Sequence, residues 1–172
     1  MASHAFDLPP SPWVRQWMDW IQPGGTVLDL ACGSGRHARL LARMGFEVEA
    51  VDRDVALFAD PPPGVTLAQA DLEAGPWPYA GRRFAGIVVT NYLHRPLLPT
   101  LVDSLEPLGM LLYETFARGN ERFGKPSNPA FLLEPGELLE AVRGKLRVVG
   151  YEDRVVTEPR PAAIQRIAAR RE

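Results

Sequence analysis

Two glycines and an aspartate near the N-terminus are the residues of this sequence best suited to hold a ligand. Gly33 and Gly35 form a tight turn directly after the apolar run 26–31. Glycines at this spacing let a ligand approach the backbone closely, and a helix that begins at Arg36 would add N–H donors. Asp52 ends the next apolar run, where a carboxylate can accept hydrogen bonds from two ribose hydroxyls. The pattern predicts a nucleoside-binding site.

A second carboxylate, Asp29, lies just before the glycine turn and discriminates between nucleosides. A pyrophosphate at ~5 Å would be repelled by roughly 3 kcal/mol per charge at an effective dielectric of ~20. S-adenosylmethionine carries an ammonium and a sulfonium instead, and a carboxylate attracts both. Two other interpretations stay open, in which Asp29 caps a helix or a turn and Asp52 is an ordinary turn residue.

Apolar periodicity predicts that strands and helices alternate along the chain. The predicted strands are residues 26–31, 46–52, 65–70, 84–90 and 109–114, and the predicted helices are residues 11–22, 36–44, 97–105 and 134–142. Residues 146–156 and 163–169 also have strand patterns, although the second segment is compatible with a helix. Only the six residues 157–162 separate them, so no crossover helix fits and the two segments must form an antiparallel hairpin. The predicted fold class is α/β, a Rossmann-like three-layer sandwich whose mostly parallel sheet of about seven strands ends in that hairpin.

Length and composition narrow the class of protein further. The chain has 172 residues, a net charge of -2 and one cysteine. We therefore expect one domain over residues 1–172, with residues 1–10 disordered and without a disulfide. No signal peptide and no membrane-spanning segment are recognisable, so the predicted location is cytoplasmic. A nucleic-acid partner is not expected, because the only local basic cluster is at residues 166–171. The sequence does not define an oligomeric state.

Three segments resemble the motifs of one enzyme family. Val27–Gly35 resembles motif I of class I S-adenosylmethionine-dependent methyltransferases, and residues 50–52 resemble the acidic motif that follows it. Residues 69–72 are similar to the next motif, while residues 88–93 match the strand-four motif loosely. The predicted terminal hairpin also agrees with that family's sheet. The most similar subgroup contains the small tellurite-resistance-like and ubiquinone-biosynthesis-like enzymes.

The resemblance implies S-adenosyl-L-methionine as cofactor and assigns roles to individual residues. The methionine part would lie along the glycine turn, the ribose against Asp52, the adenine edge against Asp71, and the acceptor beside Asn91 and Tyr92. The cofactor-binding residues implied in this way are Asp29, Ala31, Gly33, Gly35, Asp52, Arg53, Asp71, Leu72 and Asn91. No metal is expected.

The acceptor side is less constrained by the sequence. The residues after Asn91 are not the Pro-Pro-aromatic run of enzymes that methylate exocyclic amines, so a small-molecule acceptor is predicted. His94 is a candidate general base because its unperturbed pKa lies near neutrality, with Tyr92 as a second catalytic candidate; His94 could equally be a loop residue. The substrate-binding residues predicted are Tyr92, Tyr113, Glu114 and Phe116. The long polar loop 117–128 is predicted to border the acceptor pocket.

Two other functions are compatible with parts of this pattern. The chain could bind S-adenosylmethionine without catalysis, as a regulator or as the partner subunit of a methyltransferase. It could also be an NAD-dependent oxidoreductase, because that class shares the glycine turn and Asp52. Asp29 and the terminal hairpin argue against the oxidoreductase, as does the lack of a second glycine turn after the later strands.

Overall fold

The computed structural model describes residues 8–172. Most of the segment predicted to be disordered, residues 1–10, therefore lies outside the described residues. The fold is built on one seven-stranded sheet with the order β3-β2-β1-β4-β5-β7-β6. The strands are β1 Thr26–Leu30, β2 Glu47–Asp52, β3 Val65–Gln69, β4 Phe84–Thr90, β5 Leu105–Phe116, β6 Arg147–Val156 and β7 Ala162–Arg170.

The sheet is parallel from β3 to β5 and ends in an antiparallel hairpin. β1 pairs in parallel with β2 and β4, β2 with β3, and β4 with β5. β7 runs antiparallel to both β5 and β6 and lies between them. The predicted fold class and the terminal hairpin are confirmed, and the helical alternative for residues 163–169 is wrong.

Four short helices cover the two faces of the sheet. They are α1 Pro12–Trp17, α2 Arg36–Arg43, α3 Leu98–Asp103 and α4 Glu137–Val142. α1 is shorter than the predicted helix 11–22: after Trp17 the chain narrows to a 3₁₀ turn, Met18–Trp20, and then becomes extended at Ile21. Ser11 caps α1 as its residue type predicts, because its hydroxyl accepts hydrogen bonds from the N–H groups of Trp13 and Val14.

Each face of the sheet has its own apolar core, as a three-layer sandwich requires. α1 and α2 pack on one face with the side chains of Val27, Val88 and Leu112. α3 and α4 pack on the other face, where the core includes Leu28, Ile87 and Tyr113. No helix forms between β3 and β4; the edge-to-face rings of Trp77 and Tyr79, 5.5 Å apart, cover the sheet there. None of the helices in residues 8–172 has the length and apolarity needed to cross a membrane.

Candidate functional site

The turn after β1 has a left-handed backbone at every second residue. Ala31, Gly33 and Gly35 have φ angles of 53°, 55° and 82°. Glycine adopts these angles freely, whereas an alanine there is strained by its Cβ. Such strain is concentrated at functional positions, and here it lies at the carboxyl end of a central strand. The backbone conformation of this turn therefore indicates a functional role rather than a contribution to stability.

Asp52 connects the end of β2 to the glycine turn. Its Oδ2 accepts the N–H of Gly33 at 2.9 Å, and its Oδ1 accepts the N–H of Asp54 at 3.0 Å. A carboxylate has about four acceptor positions, so Asp52 can still accept two ribose hydroxyls while it makes these bonds. The structure places the predicted ribose acid beside the turn, with its orientation fixed.

Asp29 is buried beneath the same turn and caps α2. Its side chain is 2% exposed, and its Oδ2 accepts the N–H of Ala38 at 2.9 Å. Burial raises the pKa of Asp29 to about 7, against the lowering effect of the Ala38 N–H and the Arg36 guanidinium. In this structure Asp29 therefore caps a helix, as one of the two interpretations of the sequence proposed. It does not line the cavity described below.

Position 35 requires glycine for a different reason from the ligand approach that the sequence pattern suggests. A Cβ at Gly35 would lie 2.4 Å from the ring of Phe58, a side chain that is 2% exposed. At Gly33 nothing lies within 4 Å of a built Cβ. Phe58 thus fills the space in the Cβ direction of Gly35, whereas that direction is open at Gly33. That both glycines admit a ligand stays a prediction.

A cavity of about 270 Å³ opens at the carboxyl ends of the strands, just below the usual range of volumes for small-molecule sites. Three of its side chains are carboxylates and one is a guanidinium, so it favours ligands rich in hydrogen-bond donors. Its lining consists of Ala31, Asp52, Arg53, Ala70, Asp71, Leu72, Glu73, Asn91 and Tyr92. Six of the nine predicted cofactor-binding residues and the predicted acceptor residue Tyr92 meet here, whereas Asp29, Gly33 and Gly35 do not line the cavity. Ala70 and Glu73 were missed, although they flank the quoted Asp71 and Leu72.

Asp71 shapes the wall of this cavity by folding the turn that follows β3. Its Oδ1 accepts the N–H groups of Glu73 and Ala74, both at 3.0 Å. These backbone bonds lower the pKa of Asp71, so it stays ionised. The turn directs Glu73 across the cavity, where its Oε1 lies 3.5 Å from the hydroxyl of Tyr92.

The loop after β4 forms the opposite wall of the cavity, and hydrogen bonds to residues of β5 hold it in place. Asn91 has φ 54°, and its N–H donates to the Glu114 carbonyl at 3.0 Å. The hydroxyl of Tyr113 donates to the Tyr92 carbonyl at 2.7 Å. Tyr113 is 1% exposed, so it cannot form the substrate wall predicted for it. It instead sets the position of the loop that carries Asn91 and Tyr92.

Replacing Tyr113 by phenylalanine is expected to lower the free energy of unfolding by about 1–2 kcal/mol, because the Tyr92 carbonyl loses its donor. Urea titration measures this change. Tyr79→Phe is a matched control, since the buried hydroxyl of Tyr79 has no hydrogen-bond partner within residues 8–172. Equal losses in the two variants would contradict the positioning role of Tyr113.

The other predicted acceptor residues surround the cavity without lining it. His94 begins the turn that leads into α3 and is close enough to Asp71 to help lower the pKa of that carboxyl. Phe116 is half-buried, with the Arg160 guanidinium 5.8 Å from its ring centroid. Glu114 accepts the Ser11 hydroxyl at 2.8 Å and the Arg166 guanidinium at 2.9 Å. Glu114 is thus largely committed within the protein.

The loop 117–136 is tied closely to the sheet and to the loop after β4. Asn120 is buried, and its side chain accepts the Ala163 N–H and donates to the Pro126 carbonyl. Arg95 donates to both carboxylate oxygens of Glu137 at 2.6 and 3.1 Å. The loop predicted to border an acceptor pocket is therefore held in place by hydrogen bonds. Whether an acceptor binds there stays a prediction.

Cys32 occupies the centre of the glycine turn as a small buried side chain. It is 7% exposed, and burial raises the pKa of its thiol well above the usual value. A thiol in this state does not act as a nucleophile. Within the same described residues, no three His, Cys, Asp or Glu side chains converge as a metal site requires.

Comparison with solved structures defines the class of fold. The glycopeptide N-methyltransferase MtfA, complexed with S-adenosyl-L-homocysteine, superposes with a TM-score of 0.64 at 20% identity, over 97% of this chain and 92% of its own. The [4+2]-cyclase SpnF superposes with a TM-score of 0.66 at 16% identity, over 86% and 74% of the two chains. The chain has the fold of class I S-adenosylmethionine-dependent methyltransferases, as the sequence motifs predicted.

One family model matches the N-terminal part of the chain. Residues 13–59 match the model of the tellurite resistance protein TehB, and they include the glycine turn, Asp29 and Asp52. TehB from Haemophilus influenzae superposes with a TM-score of 0.72 at 18% identity, over 93% of this chain. This chain spans 61% of the length of that TehB chain. No curated protein matches the sequence.

Proposed function

We propose that this chain binds S-adenosyl-L-methionine and transfers its methyl group to a small-molecule acceptor. The observation that carries the proposal is the acidic cavity at the carboxyl ends of β1, β2 and β4, with Asp52 oriented by the Gly33 N–H. Ligands of open α/β sheets bind at this edge. The family match over residues 13–59 and the shared fold support the same conclusion.

The hydrogen bonds of the turn favour a cationic nucleoside over a dinucleotide. A pyrophosphate needs free N–H groups at the glycine turn and at the start of the following helix. Here the Gly33 N–H is bonded to Asp52 and the Ala38 N–H to Asp29. A diphosphate would therefore find both of these donors already bonded to carboxylates. This arrangement argues against the NAD-dependent oxidoreductase, which shares only the sequence pattern.

The cavity residues fit the nucleoside half of the cofactor. Asp52 would hold the ribose hydroxyls, and Leu72 and Ala70 would contact the faces and edge of the adenine. Asp71 and Glu73 supply acceptors for the donors of the base. Tyr92, held through its carbonyl by Tyr113, would close the cavity over the ligand and exclude water.

The cofactor supplies a methyl group on a sulfonium, which is already an excellent leaving group. The protein must align the acceptor with the methyl group and exclude water. His94, next to the cavity, is the residue we propose to remove a proton from an acceptor that is protonated at neutral pH. Asn91 and Tyr92 would contact the cofactor on the acceptor side.

Isothermal titration calorimetry with S-adenosylhomocysteine and with NADH tests the binding part of the proposal. We expect the first ligand to bind and the second to show no heat. Methyl transfer from isotopically labelled cofactor into fractions of a metabolite extract then tests the reaction and points to the acceptor. Binding of NADH without S-adenosylhomocysteine would refute the proposal.

The Asp52→Ala variant is expected to bind S-adenosylhomocysteine at least about tenfold more weakly, because the ribose loses its acceptor and the glycine turn its anchor. Calorimetry measures the change. Asp54→Ala removes a neighbouring carboxylate that caps the next turn outside the cavity, and it should bind like the wild type. Unchanged affinity in Asp52→Ala would defeat the ribose assignment.

A non-catalytic S-adenosylmethionine-binding protein, either a regulator or a partner subunit, is the second candidate. One observation favours it: of the four side chains expected around an acceptor, Tyr92, His94, Tyr113 and Phe116, only Tyr92 lines the cavity. The reaction screen distinguishes the two functions. A chain that binds the cofactor tightly but labels no metabolite in the extract would support the regulator.

A further inference from the structure

We propose that α1 and the 3₁₀ turn after it form a weak interface between two copies of this chain, with Trp20 as the apolar anchor. Trp20 is 46% exposed, although it directly follows a helix that is packed against the sheet. The exposed side of this segment, which we call the α1 surface, consists of Pro12, Arg15, Gln16, Asp19 and Trp20. None of these residues lines the nucleoside cavity, so the surface is separate from that site.

Trp20 is the last ring of an aromatic row that holds it in place. The rings of Trp13 and Trp17 lie edge to face with centroids 5.6 Å apart, and those of Trp17 and Trp20 lie edge to face at 5.4 Å. Trp13 donates its Nε1–H to the Ile167 carbonyl of β7, and the Trp17 ring lies directly against Gly150 of the edge strand β6. The row therefore leads to the β6 edge of the sheet. Because packing already restrains the Trp20 ring, a partner that binds it has little side-chain entropy to remove.

Single exposed apolar side chains are common on protein surfaces, so Trp20 has to be compared with the others. Phe123 is 42% exposed, but the Arg122 guanidinium lies over its ring, 5.5 Å from the centroid. Among residues 8–172, no guanidinium lies over the ring of Trp20 in this way. Tryptophan and arginine are also the residues most enriched at the energetic centres of interfaces. Trp20 is distinguished by its residue type, its fixed ring and the charges beside it.

Two opposite charges on the α1 surface lack partners in their own chain. Arg15 and Asp19 are both exposed and lie four residues apart, yet neither forms a salt bridge with any residue that the structure describes. Their order is the less favourable one for pairing along a helix, since an acid four residues before a base pairs better than the reverse. An acid and a base are therefore both available to a partner.

A surface that carries one acid and one base can be complementary to itself. A two-fold interface brings the same surface of two copies together, so a contact between residues i and j occurs twice. If the two α1 segments pack antiparallel, Arg15 of each copy lies opposite Asp19 of the other, and Trp20 of each copy packs against Pro12 and Gln16 of the other. One short helix and the adjacent strand edge form a small interface, so a weak dimer is expected.

Sedimentation velocity over a concentration series of the full chain tests the proposal. No ligand is added, so the result does not depend on the proposed cofactor. We expect the wild type to change from monomer to dimer between about 1 µM and 1 mM, and Trp20→Ser to raise the dissociation constant at least about tenfold. Phe131→Ser removes an aromatic ring that is 49% exposed in the loop after β5, and it should leave the constant within about twofold of the wild type. A wild type that is still monomeric at about 1 mM overturns the proposal.

Charge reversal gives a sharper test, because both charged positions are exposed and tolerate substitution. Arg15→Asp leaves two acids on the α1 surface, and Asp19→Arg leaves two bases. Each variant alone should associate roughly tenfold more weakly than the wild type, since two attractive pairs become repulsive. An equal mixture of the two variants should form a heterodimer with nearly wild-type affinity, because both pairs are restored with their signs exchanged. Wild-type association of the single variants, or no recovery in the mixture, overturns the proposal even if Trp20→Ser fails to fold.

Discussion

Gly35→Ala is expected to lower the free energy of unfolding by about 2–5 kcal/mol. The new Cβ would lie 2.4 Å from the Phe58 ring, which is itself buried. Overpacking of this kind costs about 1–3 kcal/mol, and a left-handed backbone adds about 1–2 kcal/mol for any residue with a Cβ. Urea denaturation followed by circular dichroism measures the loss.

Gly33→Ala is the matched control for this experiment. It has a left-handed φ of 55° and open space around the Cβ, so only the backbone cost of about 1–2 kcal/mol applies. A double-mutant cycle with Phe58→Ala isolates the clash, because the alanine at position 35 should cost much less once the ring is gone. Equal losses of unfolding free energy in Gly33→Ala and Gly35→Ala would show that Phe58 is not the reason for glycine at position 35.

Asp29→Asn is expected to stabilise the protein at alkaline pH. Burial raises the pKa of Asp29 from 3.8 to about 7, so ionising this carboxyl disfavours the folded state. A raised carboxyl pKa means that the stability is complete below pH 3.8 and is lost as the pH rises toward 7. The shift corresponds to roughly 4 kcal/mol at pH 8. Asparagine cannot ionise, and its side-chain oxygen can still accept the Ala38 N–H.

The pH dependence of the gain identifies its cause. The difference in unfolding free energy between Asp29→Asn and the wild type should grow by about 2–3 kcal/mol from pH 5 to pH 8. His37, whose pKa burial lowers to about 3, contributes the opposite slope below pH 6.5 in both proteins and cancels from the difference. Asp54→Asn, an exposed aspartate, should show no such growth. A pH-independent gain would contradict the burial argument.

The same variant tests what Asp29 does for a ligand. If Asp29 attracts the cationic end of the cofactor, Asp29→Asn should bind S-adenosylhomocysteine more weakly while it folds more stably. A buried carboxylate that costs stability and is retained for function would be an instance of the usual conflict between stability and activity. Unchanged binding would leave Asp29 as a helix cap alone.

The parallel part of the sheet could be predicted because β1 and β4 are short apolar runs bounded by turn residues. The hairpin could be predicted from the short connection between its strands, since residues 157–161 are too few for a parallel crossover. The length of β5 could not be predicted: it begins at Leu105, four residues before the predicted start, across a proline and a left-handed Leu108. Its early pairing with β4 includes a register shift near Phe84, which no local pattern encodes.

Six of the nine residues predicted to bind the cofactor line the cavity, whereas of the predicted acceptor residues only Tyr92 does. Asp52 ends β2 and Asp71 follows the neighbouring parallel strand β3 by two residues, and topology alone brings such residues together. Strand alternation explains why Tyr113 is not on the acceptor side. It lies on the same face of β5 as Leu111, whereas Glu114 lies on the opposite face, with α1. Phe58 could not be predicted, because nothing in the local sequence connects it to Gly35.

The place of β7 in the sheet has a consequence for synthesis on the ribosome. β7 is the final strand along the chain, yet it lies between β5 and β6 and pairs with both. Until residues 162–170 have emerged, β5 presents an open edge and β6 has no neighbour in the sheet. A nascent chain stalled before residue 162 would therefore expose strand edges that recruit chaperones or other chains, and the molecule can close that edge only at the end of translation of this domain.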